Sequence, residues 1–208
     1  MTMLTQNRSV TRLLQLLLLP IGVAALSALL QAWDPQQLVL RYQRDLIGDF
    51  QLWRLLSGHF VHLGWTHWLM NMLGLLLIWL LFESTFKTWL AAVYLLICSV
   101  LISFLLYTCS QNVAWYVGLS GALHGLFVLG MLSQFRRQPL FAAVVLAFFA
   151  AKLIWEQLYG PLPGSEETAG GSVVVVAHTY GALVGAGLFG LVSVVRKLKN
   201  NHVRHEGH

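Results

Sequence analysis

The stretch Ala177-His-Thr-Tyr-Gly-Ala-Leu-Val-Gly185 carries a small residue at every fourth position. Residues at that spacing share one face of a helix, and small residues on such a face let two membrane helices pack closely. A second glycine-rich stretch, Gly118-Leu-Ser-Gly-Ala-Leu-His-Gly125, is the expected partner. The first stretch holds an imidazole at His178 and the second a hydroxyl at Ser120. The pattern predicts two helices in close contact, with a reactive pair of side chains beside the contact.

The composition places both stretches in a lipid bilayer. Hydrophobic residues make up 57% of the 208 residues and charged residues only 10%, unlike an ordinary soluble domain. A helix needs about 20 apolar residues to span roughly 30 Å of hydrocarbon. We therefore predict an all-α, polytopic membrane protein, a six-transmembrane-helix bundle that forms a single domain over residues 1–208. The predicted spans are about 12–33, 62–82, 89–108, 120–134, 139–158 and 173–195.

The fourth span is predicted to be short. Its apolar run begins near Val113, but Gly118 and Gly121 flank Ser120 and break the helical signal. A helix over 120–134 covers only about 22 Å, which leaves roughly 8 Å of the outer leaflet to the preceding loop. Irregular backbone at that depth must line protein or water. His178 lies at a similar depth, so we expect Ser120 and His178 to meet below a water-accessible cavity.

The basic residues predict the orientation. With both termini in the cytoplasm, nine of the thirteen Lys and Arg residues fall on the inner side, as the positive-inside rule requires. These nine are Arg8, Arg12, Lys87, Arg136, Arg137, Arg196, Lys197, Lys199 and Arg204. The positive net charge therefore reflects topology and contact with the anionic inner leaflet of the lipid bilayer, and no nucleic-acid partner is expected.

The polar residues at the outer ends of the spans suggest a hydrolytic site. A serine is a weak nucleophile alone, so Ser120 needs His178 as a base. His67 and Asn71 are four residues apart on one helix face and supply hydrogen-bond donors for an oxyanion, together with the backbone N–H of Ser120. No Asp or Glu is expected near His178 at this depth, so we predict a Ser–His dyad and no triad.

Other interpretations stay open at this point. No H-E-x-x-H motif is present, so neither a metal ion nor another cofactor is expected. A haem-binding protein is an alternative, with His67 and His178 as axial ligands. Lys152 and Glu156, four residues apart, form either a buried ion pair that stabilises the fifth span or a feature that shapes substrate access. The structural role is favoured.

These motifs resemble those of the rhomboid intramembrane serine proteases. The matching positions are Trp53-Arg54, His62, His67-x-x-x-Asn71, Glu83, Gly118-x-Ser120-Gly121 and Ala177-His178-x-x-Gly181-x-x-x-Gly185. The resemblance implies that Ser120 is the nucleophile, His178 the base, and His67 and Asn71 the oxyanion donors. It further implies that His62, Trp53 and Arg54 support the site and the first outer loop.

One position departs from the rhomboid pattern. Many rhomboids carry a tyrosine four residues after the serine, where this chain has His124. The tyrosine stacks against the catalytic histidine. His124 is expected to stack on His178 in the same way, to hydrogen-bond to it, or to compete for its proton. A non-catalytic relative of the family is a further alternative, although such proteins usually lack the serine or the histidine.

Several short stretches of the sequence are similar to those of one rhomboid subfamily, the rhombosortases. The similar stretches are Arg54-Leu-Leu-Ser-Gly-His59, His62-Leu-Gly-Trp-Thr-His67, Gly118-Leu-Ser-Gly-Ala-Leu-His-Gly125 and Lys152-Leu-Ile-Trp-Glu156-Gln. Rhombosortases are bacterial rhomboids that trim C-terminal Gly-Gly sorting tails of exported proteins. The resemblance implies a bacterial inner membrane, a site open to the periplasmic side and substrates with a Gly-Gly transmembrane tail. A general rhomboid protease with other single-pass substrates is the alternative.

Overall fold

The chain folds into helices, joined at one place by a short two-stranded ladder. The computed structural model describes residues 2–83, 85–86 and 88–206, and side chains within 17–201. Lys87 and the side chains of Arg8, Arg12 and Arg204, used above for the orientation, lie outside this description. The elements, in chain order, are α1 (Thr2–Trp33), β1 (Tyr42–Gln43), α2 (Arg44–Gly48), α3 (Arg54–Ser57), α4 (Trp65–Phe82), α5 (Thr88–Cys109), β2 (Trp115–Tyr116), α6 (Ser120–Gln134), α7 (Pro139–Tyr159), α8 (Ser165–Ala169) and α9 (Val176–Glu206).

The predicted all-α membrane fold is confirmed. Four helices in the described part of the chain are long and apolar enough to cross a membrane: α4, α5, α7 and the Val176–Asn201 part of α9. Within the described side chains, α1 contributes the apolar stretch Leu17–Trp33, and α6 is a helix of 15 residues. Each of the six predicted spans therefore corresponds to a helix, while length and composition identify four as full spans. The predicted bounds of the short fourth helix agree with α6.

The predicted bounds of three other helices differ from the structure. α1 begins at Thr2, about ten residues before the predicted start at 12, so its helix extends beyond the apolar run. α4 begins at Trp65 and not at residue 62, because the chain is extended at Gly64 (φ −177°). α9 begins at Val176 and continues to Glu206, far beyond the predicted end at 195. Lys, Arg and Glu are good helix formers, so the helix continues after its apolar part has ended. Hydrophobicity locates the membrane more reliably than it locates helix ends.

The central helix is α6, which contacts α4, α5, α7 and, most extensively, α9. The contact with α9 depends on glycine. A Cβ atom on Gly181 would overlap the carbonyl oxygen of Gly121, and one on Gly185 would overlap the carbonyl oxygen of Gly125. The predicted close contact through small residues is thus confirmed.

The connection between α1 and α4 holds the loop that precedes α6. β1 pairs antiparallel with β2, with Tyr42 opposite Tyr116. Next to this ladder, Arg44 donates hydrogen bonds to backbone carbonyls near the end of α5: Leu106, Tyr107 and Ser110. A cationic guanidinium is favourable at the C-terminal end of a helix, and here it adds a second hydrogen bond to the Leu106 and Ser110 carbonyls, which also accept from the backbone N–H groups of Ser110 and Val113. The loop that leads into Ser120 is therefore tied to both α5 and the connection between α1 and α4.

Candidate active site

Ser120 and His178 meet at the N-terminal ends of α6 and α9. Ser120 is the first residue of α6, and His178 lies in the first turn of α9. The distance from Ser120 Oγ to His178 Nε2 is 3.0 Å, within hydrogen-bonding range. One turn further along α9, the contact between Gly181 and Gly121 sets the separation of the two helices. The structure thus brings the predicted pair together.

A carboxylate lies on the other side of the His178 ring. Glu156 Oε2 is 3.0 Å from His178 Nδ1, and Glu156 is buried. The expectation that no Asp or Glu lies near His178 was therefore wrong, and the three side chains form a Ser–His–Glu chain of contacts. The positions of the two residues in their helices already indicated that Glu156 and His178 lie near each other. α7 ends at Tyr159 and α9 begins at Val176, so Glu156 and His178 both lie close to the helix ends that face each other across the connection.

Lys152 and His124 complete this polar cluster. Lys152 Nζ lies 2.7 Å from Glu156 Oε2, 2.8 Å from His124 Nε2 and 3.4 Å from His178 Nδ1. The rings of His124 and His178 stack in parallel, with centroids 4.1 Å apart and an interplanar angle of 2°. Of the three expectations for His124, stacking is confirmed. Its ring nitrogens contact Lys152 and the Ser120 carbonyl and make no hydrogen bond to His178.

His67 and Asn71 lie on α4, one turn apart, beside Ser120. His67 Nδ1 accepts a hydrogen bond from the Leu63 backbone N–H at 3.3 Å, which leaves the hydrogen of a neutral ring on Nε2. Asn71 Nδ2 donates to the His67 carbonyl at 2.9 Å and retains a second hydrogen. Both residues line the same cavity as Ser120 and His178. Each therefore keeps one N–H for a group bound in that cavity.

Gly118 leaves room for the His67 ring, and His62 packs against it. Gly118 has φ +110°, a region that favours glycine, and a Cβ atom there would lie 2.6 Å from His67 Cε1. The buried His62 ring packs edge-on against His67, with centroids 5.1 Å apart. Neither ring nitrogen of His62 has a partner among the described residues. His62 thus contacts His67 by packing.

Trp53 and Arg54 lie in the connection between α1 and α4 and not among the residues that line the site. Trp53 Nε1 donates to the Val39 carbonyl at 3.3 Å. The buried Arg54 guanidinium donates to the carbonyls of Arg41 and Leu38 at 2.9 and 3.1 Å. Neither residue lines the cavities next to Ser120. Their contacts hold the connection between α1 and α4 together.

Two cavities meet at Ser120 and His67. One, of about 330 Å³, is lined by residues 112–117 and 172–174, which lie above the start of α6. The other, of about 360 Å³, lies between α4, α6 and α7 and contains the polar cluster together with apolar side chains such as Ile78 and Phe127. The predicted space next to Ser120 is thus present, and Ser120 lines both cavities.

The polar cluster also contains a group of potential metal ligands. Donor atoms of His124, Glu156 and His178 lie within 4.8 Å of one another. The Lys152 ammonium, however, contacts both Glu156 and His124, so a metal ion would have to displace a cation already held there. Both ring nitrogens of His178 also have partners, which disfavours a haem ligand. That the site uses neither a metal nor haem stays a prediction.

A serine hydroxyl and an imidazole in contact within a membrane-spanning helical bundle define a class of hydrolase that works inside the bilayer. In agreement, the family model of the Rhomboid domain matches residues 49–194, and the chain belongs to the rhomboid family. The protein is therefore a serine-type intramembrane endopeptidase that acts on transmembrane substrates. None of the curated proteins compared with the chain matches its sequence.

Proposed function

We propose that Ser120 is the nucleophile of this peptidase and His178 its base. The observation that carries the proposal is the 3.0 Å contact between Ser120 Oγ and His178 Nε2. His178 takes the hydroxyl proton as Oγ attacks the peptide carbonyl carbon, and then gives it to the leaving amine. Water from the cavity above Ser120 hydrolyses the acyl-enzyme with the same base.

Three N–H groups beside Ser120 are proposed to stabilise the oxyanion. They belong to His67 Nε2, Asn71 Nδ2 and the Ser120 backbone at the start of α6. The first two keep a free hydrogen, as their contacts on α4 indicate. The third lies at a helix N-terminus, where backbone N–H groups lack partners within the helix and the dipole favours negative charge. Donors fixed before the reaction lose little free energy to reorganisation as charge develops.

We further propose that the substrates are C-terminal membrane tails with a Gly-Gly motif, as in rhombosortases. A bond inside a helix is shielded by its turns, so the substrate must unwind at the site. Glycine costs about 1 kcal/mol relative to alanine in a helix, which makes a Gly-Gly pair easy to unwind. The short α6 supports cleavage near the outer end of a transmembrane segment. The resemblance to rhombosortases supports a bacterial inner membrane as the location, and the charge distribution supports cytoplasmic termini and a site open to the periplasm.

Co-expression with an exported protein that carries a Gly-Gly tail tests this specificity. Mass spectrometry of the product should show a C-terminus trimmed at or next to Gly-Gly, with Ser120→Ala as the negative control. A tail with Leu-Leu in place of Gly-Gly should stay uncut, and a tail with a shortened basic end should still be cut. Equal trimming of the Leu-Leu tail would contradict the rhombosortase proposal and favour a general rhomboid protease.

A further inference from the structure

Glu156 is an unusual residue for its helix. α7 contacts its neighbours sparingly, and its buried residues are Ala142 and Glu156. A carboxylate within a membrane helix is costly to bury, and such residues usually have a functional partner. If α7 needed only a packing residue at this point, an aliphatic side chain would serve at lower cost. The burial of Glu156 therefore requires an explanation beyond packing.

The contacts of Glu156 differ from those of an ordinary ion pair on one helix. Lys152 and Glu156 are four residues apart and satisfy each other on α7. Yet the same carboxylate oxygen also contacts His178 on α9, and the ammonium also contacts His124 on α6. The Lys152–Glu156 pair thus connects α6, which carries the proposed nucleophile, with α9, which carries the proposed base.

The proton positions in this cluster follow from which groups are able to accept. The Ser120 carbonyl only accepts, so His124 Nδ1 must donate to it and His124 Nε2 must accept from Lys152. The Glu156 carboxylate also only accepts, so its 3.0 Å contact places a hydrogen on His178 Nδ1. His178 Nε2 is then unprotonated in the neutral ring and accepts the Ser120 hydroxyl hydrogen.

Lys152 would impose the opposite arrangement on His178. An ammonium only donates, so a Lys152–His178 hydrogen bond would need a bare Nδ1 and would move the ring hydrogen to Nε2. In that tautomer Nε2 carries the ring hydrogen and has no lone pair to accept the Ser120 proton. The distance from His178 Nδ1 to Lys152 is 3.4 Å, against 3.0 Å to Glu156, so the carboxylate is the closer partner.

We propose that Glu156 is a positioning residue that holds His178 in the tautomer able to accept the Ser120 proton, with Lys152 fixing the carboxylate. This inference rests on the proposed roles of Ser120 and His178. In the reaction, the hydroxyl proton moves to Nε2 and later to the leaving amine, while the Nδ1 hydrogen stays on the ring. Glu156 remains ionised and balances the charge of the imidazolium, and Lys152 keeps its protons throughout.

The principal test is Glu156→Gln, which keeps the size of the side chain and removes its charge. A glutamine amide is able to donate to His178 Nδ1 and so to favour the wrong tautomer. We expect kcat for a cleaved tail and the rate of fluorophosphonate labelling at Ser120 to fall by about 10²–10⁴, with KM nearly unchanged. Glu156→Asp should recover part of this loss.

The matched control is Gln157→Ala. Gln157 Nε2 donates to Thr179 Oγ1 at 3.0 Å, so this variant removes a hydrogen bond between the same two helices without touching His178. We expect both rates to stay within a few-fold of wild type. An equal loss in Gln157→Ala and Glu156→Gln would show that Glu156 acts only by holding α7 against α9, and would overturn the proposal.

Chemical rescue covers the case in which Glu156→Gln folds poorly. Glu156 lines the 360 Å³ cavity, so Glu156→Ala opens a space that formate is able to reach. Formate should raise the labelling rate of this variant at least tenfold over sodium chloride of equal ionic strength. No rescue, or wild-type rates in Glu156→Gln, would overturn the role of Glu156. Activity in Ser120→Ala would instead refute the proposed function, so the two failures are distinguishable.

Discussion

Gly181→Ala adds a single methyl group at the contact that positions His178. The new Cβ would lie 2.8 Å from the Gly121 carbonyl carbon and closer still to its oxygen, against about 3.5–4.0 Å for ordinary contacts. α9 must therefore move away from α6 by about 1 Å. The distance from His178 Nε2 to Ser120 Oγ, now 3.0 Å, would rise to about 4 Å. A displacement of this size costs about 10²-fold in rate, and overpacking costs about 1–3 kcal/mol.

The assay compares cleavage rate and melting temperature for Gly181→Ala and Gly187→Ala. Both glycines lie on α9, but a Cβ atom on Gly187 would meet nothing within 4 Å. Because alanine is the better helix former by about 0.5–1 kcal/mol, Gly187→Ala should be fully active and at least as stable as wild type. Wild-type cleavage by Gly181→Ala would refute the conclusion that this contact sets the geometry of the site.

Three further predictions concern the side chains of the site. Ser120→Ala and His178→Ala should each abolish cleavage while the protein still inserts, and the double variant should be no slower than either single one, since the two act as a unit; a far slower double variant would argue against that unit. Asn71→Ala should lower kcat by about 10²–10³ with little change in KM, measured by steady-state cleavage; a change confined to KM would place Asn71 in substrate binding. His124→Phe should keep the ring stack but remove the hydrogen bond that Lys152 donates to α6. We expect the loss of this bond to lower the melting temperature by a few degrees. An unchanged melting temperature would show that this hydrogen bond contributes nothing to stability.

The sequence predicts the contact between α6 and α9 well because its signal is local. Each glycine stretch shows its spacing within nine residues or fewer, and small residues in a membrane helix have few other uses. The short length of α6 was predictable for the same reason, since glycines interrupt an apolar run. That His67 and Asn71 share one helix face follows from their spacing of four residues alone.

The helix ends place Glu156 and His178 near one level, but no local pattern shows that the two side chains meet. Its charge partner Lys152 lies on its own helix and gives a complete explanation at the level of sequence. The contact with His178 arises only when α7 and α9 are packed around α6. The pairing of β1 with β2 was missed for a similar reason, because it joins short segments far apart in the chain, at Tyr42 and Tyr116.

Fluorophosphonate labelling of the protein in native membranes tests the central claim most directly. The reagent reacts with a serine whose hydroxyl is activated by a base, and mass spectrometry of the digested protein locates the adduct. The account predicts one adduct, on Ser120, that is absent from Ser120→Ala and from His178→Ala. Undiminished labelling of Ser120→Ala, or an adduct on another serine of the wild-type protein, would contradict it.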